Sequence, residues 1–345
     1  MAQGDCCHYH LPAAMKKILI TGASGFVGSH LVEEALRRDL EVFAGVRASS
    51  SRDFLRDERI RFIELNFADT GHLADAVKAH RFDYIIHNAG IVSAPRPEDY
   101  WKVNCEYVKN FANAILAAGH QPEKFTFIST AASYGPASPD DLTDFITEDS
   151  EPQPINTYGK AKLEAERFLT QLHDFPYVIL RPTGVYGPRE REIFTFFQFI
   201  NRNIEAYIGF QRQHLALVYI KDLARVALDA TTTAAITQKS YFVSDGRYYA
   251  QRDLGTAARK ILKKRTLRFH IPATLIRSAA WVMEQLYKNS GSYPALNLEK
   301  VRILESINWK CDIEPLREDL NFQPQYDLEE GLTETLTWYK ENGWL

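Results

Sequence analysis

The chain has 345 residues, 45% of them hydrophobic and 25% charged, with a formal net charge of −3. That length suits one large domain or two unequal ones around a sizeable core. The near balance of charge excludes the chain-wide positive field that would hold nucleic acid, so a small molecule is the expected partner. Four cysteines, Cys6, Cys7, Cys105 and Cys311, make no CxxC pair and have no matching histidine spacing, so neither a disulfide framework nor a metal site is expected, and a reducing cytoplasm suits them.

Residues 1–14 lack the basic-then-apolar pattern of a signal peptide and read as a disordered leader, with the fold starting at Met15-Lys16-Lys17. No apolar run has the length to cross a bilayer. Strand-like runs then alternate with helical patterns: Ile18 to Ile20 followed by a helix to about Arg38, Val42 to Val46, Arg61 to Leu65, Tyr84 to His87, Phe125 to Ser129 and Tyr177 to Leu180. This alternation predicts an α/β fold with a Rossmann-type, doubly wound parallel sheet. Past Tyr186 the pattern breaks, with a helix returning at Asp222 to Thr231 and a strand at Tyr241 to Val243. The expected division is a cofactor-binding domain over 16–185 plus about 215–244, and a smaller, discontinuous α+β substrate-binding domain over about 186–214 plus 245–345.

The first strand runs into Thr21-Gly22-Ala23-Ser24-Gly25-Phe26-Val27-Gly28. Glycines there allow a tight turn and a close backbone approach, and the helix N-terminus that follows attracts a pyrophosphate, so 22 and 24–28 are candidate dinucleotide contacts. The second strand ends on Arg47 and continues through serines to Arg52, where an NAD enzyme places an acid for the ribose hydroxyls. An acid repels the extra phosphate of NADP and an arginine binds it, so NADP is favoured, with NAD as the alternative.

Farther on, Tyr158 and Lys162 stand four apart at the start of a helix and share one face, where an ammonium lowers the pKa of a phenol and fits it for acid-base work. Thr130 follows an upstream strand, at the end that faces the ligand crevice of an α/β sheet, and can hold a substrate oxygen, or cap a turn.

With these pieces in order, the sequence from about Lys16 to the C-terminus resembles the extended short-chain dehydrogenase/reductase superfamily. The glycine motif has the form TGxxGFxG. His87-Asn88-Ala89-Gly90 is similar to the segment after the fourth strand, Asn104 matches an asparagine that starts the next helix, Arg181-Pro182-Thr183-Gly184-Val185-Tyr186-Gly187-Pro188 is similar to RPxxVYGP, and Val218 to Ala224 is similar to VxVxDLA. The resemblance implies hydride transfer at the nicotinamide, with Tyr158 exchanging the proton, Lys162 lowering its pKa and fixing the ribose, Thr130 as the hydroxyl partner and Asn104 completing the set. It also implies cofactor contacts from Asn88, Ala89, Gly90, Pro182 and Val185. Asn66 and Phe67 occupy the segment that meets adenine, with Asn66 in place of the usual acid.

Three readings of the reaction stay open. A sugar-nucleotide dehydratase needs an acid and a base beside the threonine, but Ala131 and Ala132 stand there and can move no proton. The tail, Asn308-Trp309-Lys310-Cys311-Asp312 through Trp338-Tyr339, resembles the 3β-hydroxysteroid dehydrogenase and dihydroflavonol reductase subgroup, which implies a bulky, apolar ketone or secondary alcohol. The Phe194 to Ile200 cluster and the apolar spacing in Ile271 to Tyr287 can line such a pocket, rest on a membrane surface, or be core, the core reading leading for the second stretch. The alternative is a nucleotide-sugar epimerase using Arg189, Arg191, Arg202 or Arg212 on a diphosphate; third comes a non-catalytic cofactor-binding sensor or assembly subunit. A homodimer through the helices flanking the sheet is expected by analogy of fold.

Overall fold

Strands Lys17–Thr21 (β1), Glu41–Val46 (β2), Arg61–Glu64 (β3), Tyr84–His87 (β4), Lys124–Ile128 (β5) and Tyr177–Pro182 (β6) are those expected from the sequence, each to within two residues. The computed structural model describes residues 15–94, 96–138, 141–210, 213–287, 294 and 296–345; the leader expected at 1–14, with Cys6 and Cys7, lies outside them, as does Arg212. In β5 and β6 every residue is buried, the pattern of parallel strands covered on both faces. Helices Phe26–Arg37 (α1), Thr70–His80 (α2), Pro97–Trp101 (α3), Tyr107–Ala117 (α4) and Thr157–Gln171 (α5) supply the covers.

The second half adds Gly184–Tyr186 (β7), Phe194–Asn201 (α6), Ile204–Ile208 (β8), Leu215–Tyr219 (β9), Ile220–Thr232 (α7), Lys239–Val243 (β10), Tyr248–Tyr249 (β11), Gln251–Leu262 (α8), Leu267–Ile271 (β12), Ala273–Tyr287 (α9), Leu298–Glu305 (α10), Glu314–Leu320 (α11) and Leu328–Glu341 (α12). The main sheet is wholly parallel in the order β10-β6-β5-β4-β1-β2-β3. One core lies under α1 and α7 and a second under α2, α4 and α5. β9 pairs with β7 and β11 in a small separate sheet, and β12 pairs with β8.

Of the two apolar stretches, one open expectation is decided and one reverses. The Phe194 to Ile200 cluster is mostly core: Phe197 and Ile200 are fully buried, and Phe194 packs edge-on against Tyr339 and Trp344. The α9 stretch, read first as core, buries only Ala280 and exposes Leu275, Trp281, Val282 and Leu286. Helical spacing shows that a helix has an apolar face; it does not show that anything covers that face.

The tail acts as a brace. The Asn308 side chain donates to the carbonyls of Ser138, Asp141 and Asp144, and buried Asp222 accepts from the backbone N–H groups of Gln325 and Tyr326. The Tyr339 hydroxyl donates to the Glu190 carbonyl at 2.8 Å, which fixes α12 on the turn after β7.

Candidate active site

Apart from Asn104 and Val185, the candidate residues lie at or just past the C-terminal end of a strand of the main sheet, or in the first turns of a helix beyond one. The strand order reverses between β1 and β4, which opens the crevice where such sheets take their ligands. Gly22, at φ +64°, follows β1, and a Cβ there would lie 2.9 Å from the Ala89 Cα beyond β4. A Cβ on Gly28 would sit 2.1 Å from the Gly22 carbonyl oxygen. These contacts close the turn so tightly that only hydrogen fits at both positions. α1 opens on Gly25 with no side-chain cap, and its first backbone bond is Ser29 N–H to the Gly25 carbonyl, so the N–H groups of Phe26, Val27 and Gly28 point out unpaired. Unpaired donors at a positive helix end fit a pyrophosphate, so this segment suits a dinucleotide.

Beyond β4, Thr21 organises the crevice floor. Its hydroxyl oxygen accepts from the N–H groups of Asn88 and Ala89, each at 3.1 Å, and its proton is left for His87 Nδ1 at 3.0 Å. His87 is fully buried, and burial, with nearby Lys162 adding to it, lowers its pKa to about 3; it is a neutral structural ring, with its other nitrogen among phenylalanine faces. Asn66 is exposed and accepts locally from Ala68 N–H, and Phe67 packs on His87 and Phe111. At the end of β2 the Arg47 guanidinium is exposed and has no partner among the described residues, while Arg52 lies over the Phe62 ring.

The reacting end is built on α5. Asn156 caps it by accepting from Gly159 N–H at 2.8 Å, while Glu299 of α10 holds the next residue, Thr157, at its N–H (3.0 Å) and its hydroxyl (2.7 Å). Gly159 lets the short 3-10 turn Ala131–Ser133 press onto the helix, since a Cβ there would lie 2.2 Å from the Ala132 carbonyl. That approach brings Thr130 to Tyr158. Thr130 caps its turn, accepting from Ala132 N–H at 3.2 Å, and its hydroxyl lies beside the phenol, whose pKa it pulls down.

One expectation fails here. The Tyr158 phenol keeps an open edge but sits deep in the crevice, where burial raises its pKa and the Thr130 hydrogen bond only partly offsets the rise. Lys162 does not lower it. The ammonium donates instead to the Ile128 carbonyl at 2.8 Å and rests over Phe127, drawn to the carbonyl end of β5 because a buried cation needs an acceptor. Its own pKa is lowered by burial to about 8, with Glu166 working against the fall.

Asn104 is also corrected. It lies inside a π-helical turn, Lys102–Glu106, that joins α3 to α4 in one run, and does not start a helix. The wider turn points its amide at Ile91, whose N–H and carbonyl it binds at 3.0 and 2.9 Å, which places it against Gly90 with Lys162 just beyond.

Sequence reasoning missed a buried ionic network behind these groups. Arg181 at the end of β6 pairs with Glu166 (2.8 Å) and Glu148 (2.5 Å), and Glu166 also accepts from the Ser129 hydroxyl. The signal was there: Glu166 follows Lys162 by one helical turn, and Ser129 precedes Thr130. Pro182 ends the strand beside this network and Val185 lies in β7, which follows at once. Of the arginines proposed for a diphosphate, Arg189 is bound to Ser29 and Glu33, and Arg191 lies over Trp344. A cavity of about 630 Å³ lies behind α1 between Phe54, Arg59 and Trp338, away from Tyr158, and takes no part in this site.

Comparison with known proteins agrees with this geometry. The chain is 26% identical over 330 residues to a ceramide reductase of Caulobacter vibrioides, covering 95% of this chain and 96% of the relative. It is 23% identical over 364 residues to a decarboxylating sterol-4-alpha-carboxylate 3-dehydrogenase of Candida albicans, covering 95% and 99%. Among solved structures, the UDP-glucose 4-epimerase of Thermus thermophilus in complex with NAD superposes with a TM-score of 0.75 at 21% identity, over 94% of this chain and 99% of that one. Residues 18–243 match the model of a single family, and the chain belongs to the NAD dependent epimerase/dehydratase family.

Proposed function

We propose that this oxidoreductase interconverts a ketone and a secondary alcohol on a bulky, apolar, lipid- or steroid-like substrate, with NADP(H) preferred over NAD(H). The observation that carries the reading is the meeting of Thr130 and Tyr158 at the crevice, with only Ala131 and Ala132 beside them. Such a site can pass one proton to or from one oxygen and has no second acid-base pair with which to eliminate water. The cofactor, when bound, supplies or takes up the hydride at the carbon bearing that oxygen. In the reducing direction the Tyr158 hydroxyl gives its proton to the substrate oxygen, Thr130 holds that oxygen by a hydrogen bond, and the phenolate regains a proton from solvent. Lys162 and Asn104 hold the crevice floor at Ile128 and Ile91. The division of the chain into a cofactor part and a substrate part goes with this reading.

The substrate class rests on the tail and on end-to-end similarity to proteins named for a ceramide and a sterol carboxylate. The preference for NADP(H) rests on the unpartnered Arg47 at the end of β2. The engagement of Arg189 and Arg191 weighs against a nucleotide-sugar epimerase. A screen of cofactor oxidation across long-chain keto lipids, steroid ketones and nucleotide sugars tests the proposal. Turnover of an apolar ketone with NADPH is expected; NAD that copurifies tightly, with interconversion of a nucleotide sugar and no net cofactor consumption, would replace it with the epimerase reading.

A further inference from the structure

The segment 251–287 departs from the rest of the chain in charge and in what it exposes. It holds eight lysines and arginines against two acids, in a chain whose net charge is −3. Lys263, Lys264 and Arg265, between α8 and β12, have no ion pair or hydrogen bond from their side chains among the described residues. From them the chain enters β12, which pairs in register with β8, Arg268 opposite Glu205 and His270 opposite Tyr207. Those four residues make the inner face: Glu205 is buried and bound to Arg259 and Arg268, and Tyr207 is buried near Phe196. Alternation along the strands therefore sends Ile204, Ala206, Ile208, Leu267, Phe269 and Ile271 to the outer face, all apolar, with Leu267 74% exposed.

Past the ends of these strands Gly209 N–H bonds to the Ile271 carbonyl, while Phe210, 76% exposed, stacks on His270 of the inner face. α9 follows directly. Its inner side is fixed to α10, with Arg277 paired to Glu305 and Glu284 accepting from Leu298 N–H. The opposite side carries Leu275, Ala279, Val282 and Leu286, spaced four, three and four residues apart on one stripe, all exposed, with Trp281 and Tyr287 also exposed.

We propose that the outer face of β8 and β12 and the exposed stripe of α9 form a docking surface for an anionic lipid bilayer, into whose interface they sink while Lys263, Lys264 and Arg265 meet the headgroups. The charge selects this occupant: apolar side chains with aromatic neighbours, beside unpaired cations in a segment where cations outnumber acids eight to two, complement a negatively charged interface. α9 has 15 residues, short of the roughly 20 a membrane-spanning helix needs, and no helix of the described residues is long and apolar enough to cross. It lies on the membrane. The inference rests on this surface and not on the identity of the ketone.

Co-sedimentation of the whole protein with vesicles tests it. Binding is expected to vesicles of phosphatidylcholine with about one third phosphatidylglycerol, to be weak on phosphatidylcholine alone, and to fall steeply in about 0.5 M salt. Lys263→Glu, Lys264→Glu and Arg265→Glu should each weaken binding about fivefold or more. The triple variant Leu275→Glu/Val282→Glu/Leu286→Glu should abolish it while keeping the melting temperature and the cofactor affinity, and the blue shift of Trp emission on vesicles should vanish in Trp281→Phe. Equal binding by parent and triple variant, or no binding to the anionic vesicles, would overturn the proposal. So would a dimer in light scattering that the triple variant splits, since a second copy would then be the occupant.

Discussion

Replacing Arg181 by Met keeps a stem of similar length over Tyr134 and Phe242 but leaves two acids without their cation. The Arg181 and Glu166 side chains are 5% and 3% exposed, whereas Glu148 retains 30%. Breaking a buried pair from one side costs about 3–5 kcal/mol. Glu148 can recover part of its hydration and Ser129 still donates to Glu166, so the lower end, about 3 kcal/mol, is expected. Urea unfolding followed by circular dichroism, on Arg181→Met, Glu166→Gln and the double variant, measures it. The double variant should be more stable than the two single losses sum to, by at least about 1 kcal/mol, because removing the orphaned charge relieves the penalty. A loss below about 1 kcal/mol for Arg181→Met, or strict additivity, would refute the view that this network is a closed ionic unit behind the active site.

The remaining predictions concern the crevice. Tyr158→Phe should lower kcat at least about 100-fold with cofactor affinity unchanged within about twofold, and full turnover in steady-state assays would remove Tyr158 from the chemistry. Gly28→Ala should weaken cofactor binding at least tenfold, to order of magnitude, in a calorimetric titration with the fold intact, because the new methyl meets the Gly22 carbonyl. Arg47→Glu should turn the preference from NADP toward NAD in fluorescence titrations; an unchanged ratio would dissociate Arg47 from the extra phosphate. The lowered pKa of Lys162 predicts two opposite trends above pH 8. The folded protein releases this proton at about 8 and the unfolded chain holds it to the ordinary 10.5, so across that window the unfolded state binds more protons and stability rises with pH. If the ammonium is the working form, kcat/KM falls over the same range. Lys162→Met should flatten the rise in stability, as read by urea midpoints at several pH values, and an identical rise in that variant would show that another group titrates.

Much of the cofactor end was legible because its signals are local. A glycine is needed wherever backbone meets backbone, as at Gly22 and Gly28, and a strand buried on both sides must be apolar along its length, as in β5 and β6. Tyr158 and Lys162 were found by helical spacing, and their place at the crevice followed from the order of strands. Their coupling was not legible, because which acceptor a buried ammonium finds depends on the ends of other strands; here it is the Ile128 carbonyl. The π-helical turn at Asn104 was hidden for the same reason, since one extra residue in a turn leaves no mark on composition.

The sequence by itself determined the strand order of the first half, the parallel sheet, the glycine turn and the place of Tyr158 and Lys162 on one face of a helix, because each depends on residue type over a few neighbouring positions. Only the tertiary structure decided which apolar faces are covered. Periodicity is the same for a buried helix and an exposed one, so the Phe194 to Ile200 cluster became mostly core because α12 packs against it, while α9, held to α10 on one side only, keeps its Leu275 to Leu286 stripe exposed among the described residues. It likewise decided that Arg181 closes a circuit with Glu148 and Glu166, since charges far apart in the chain have no partner until the fold brings them within reach.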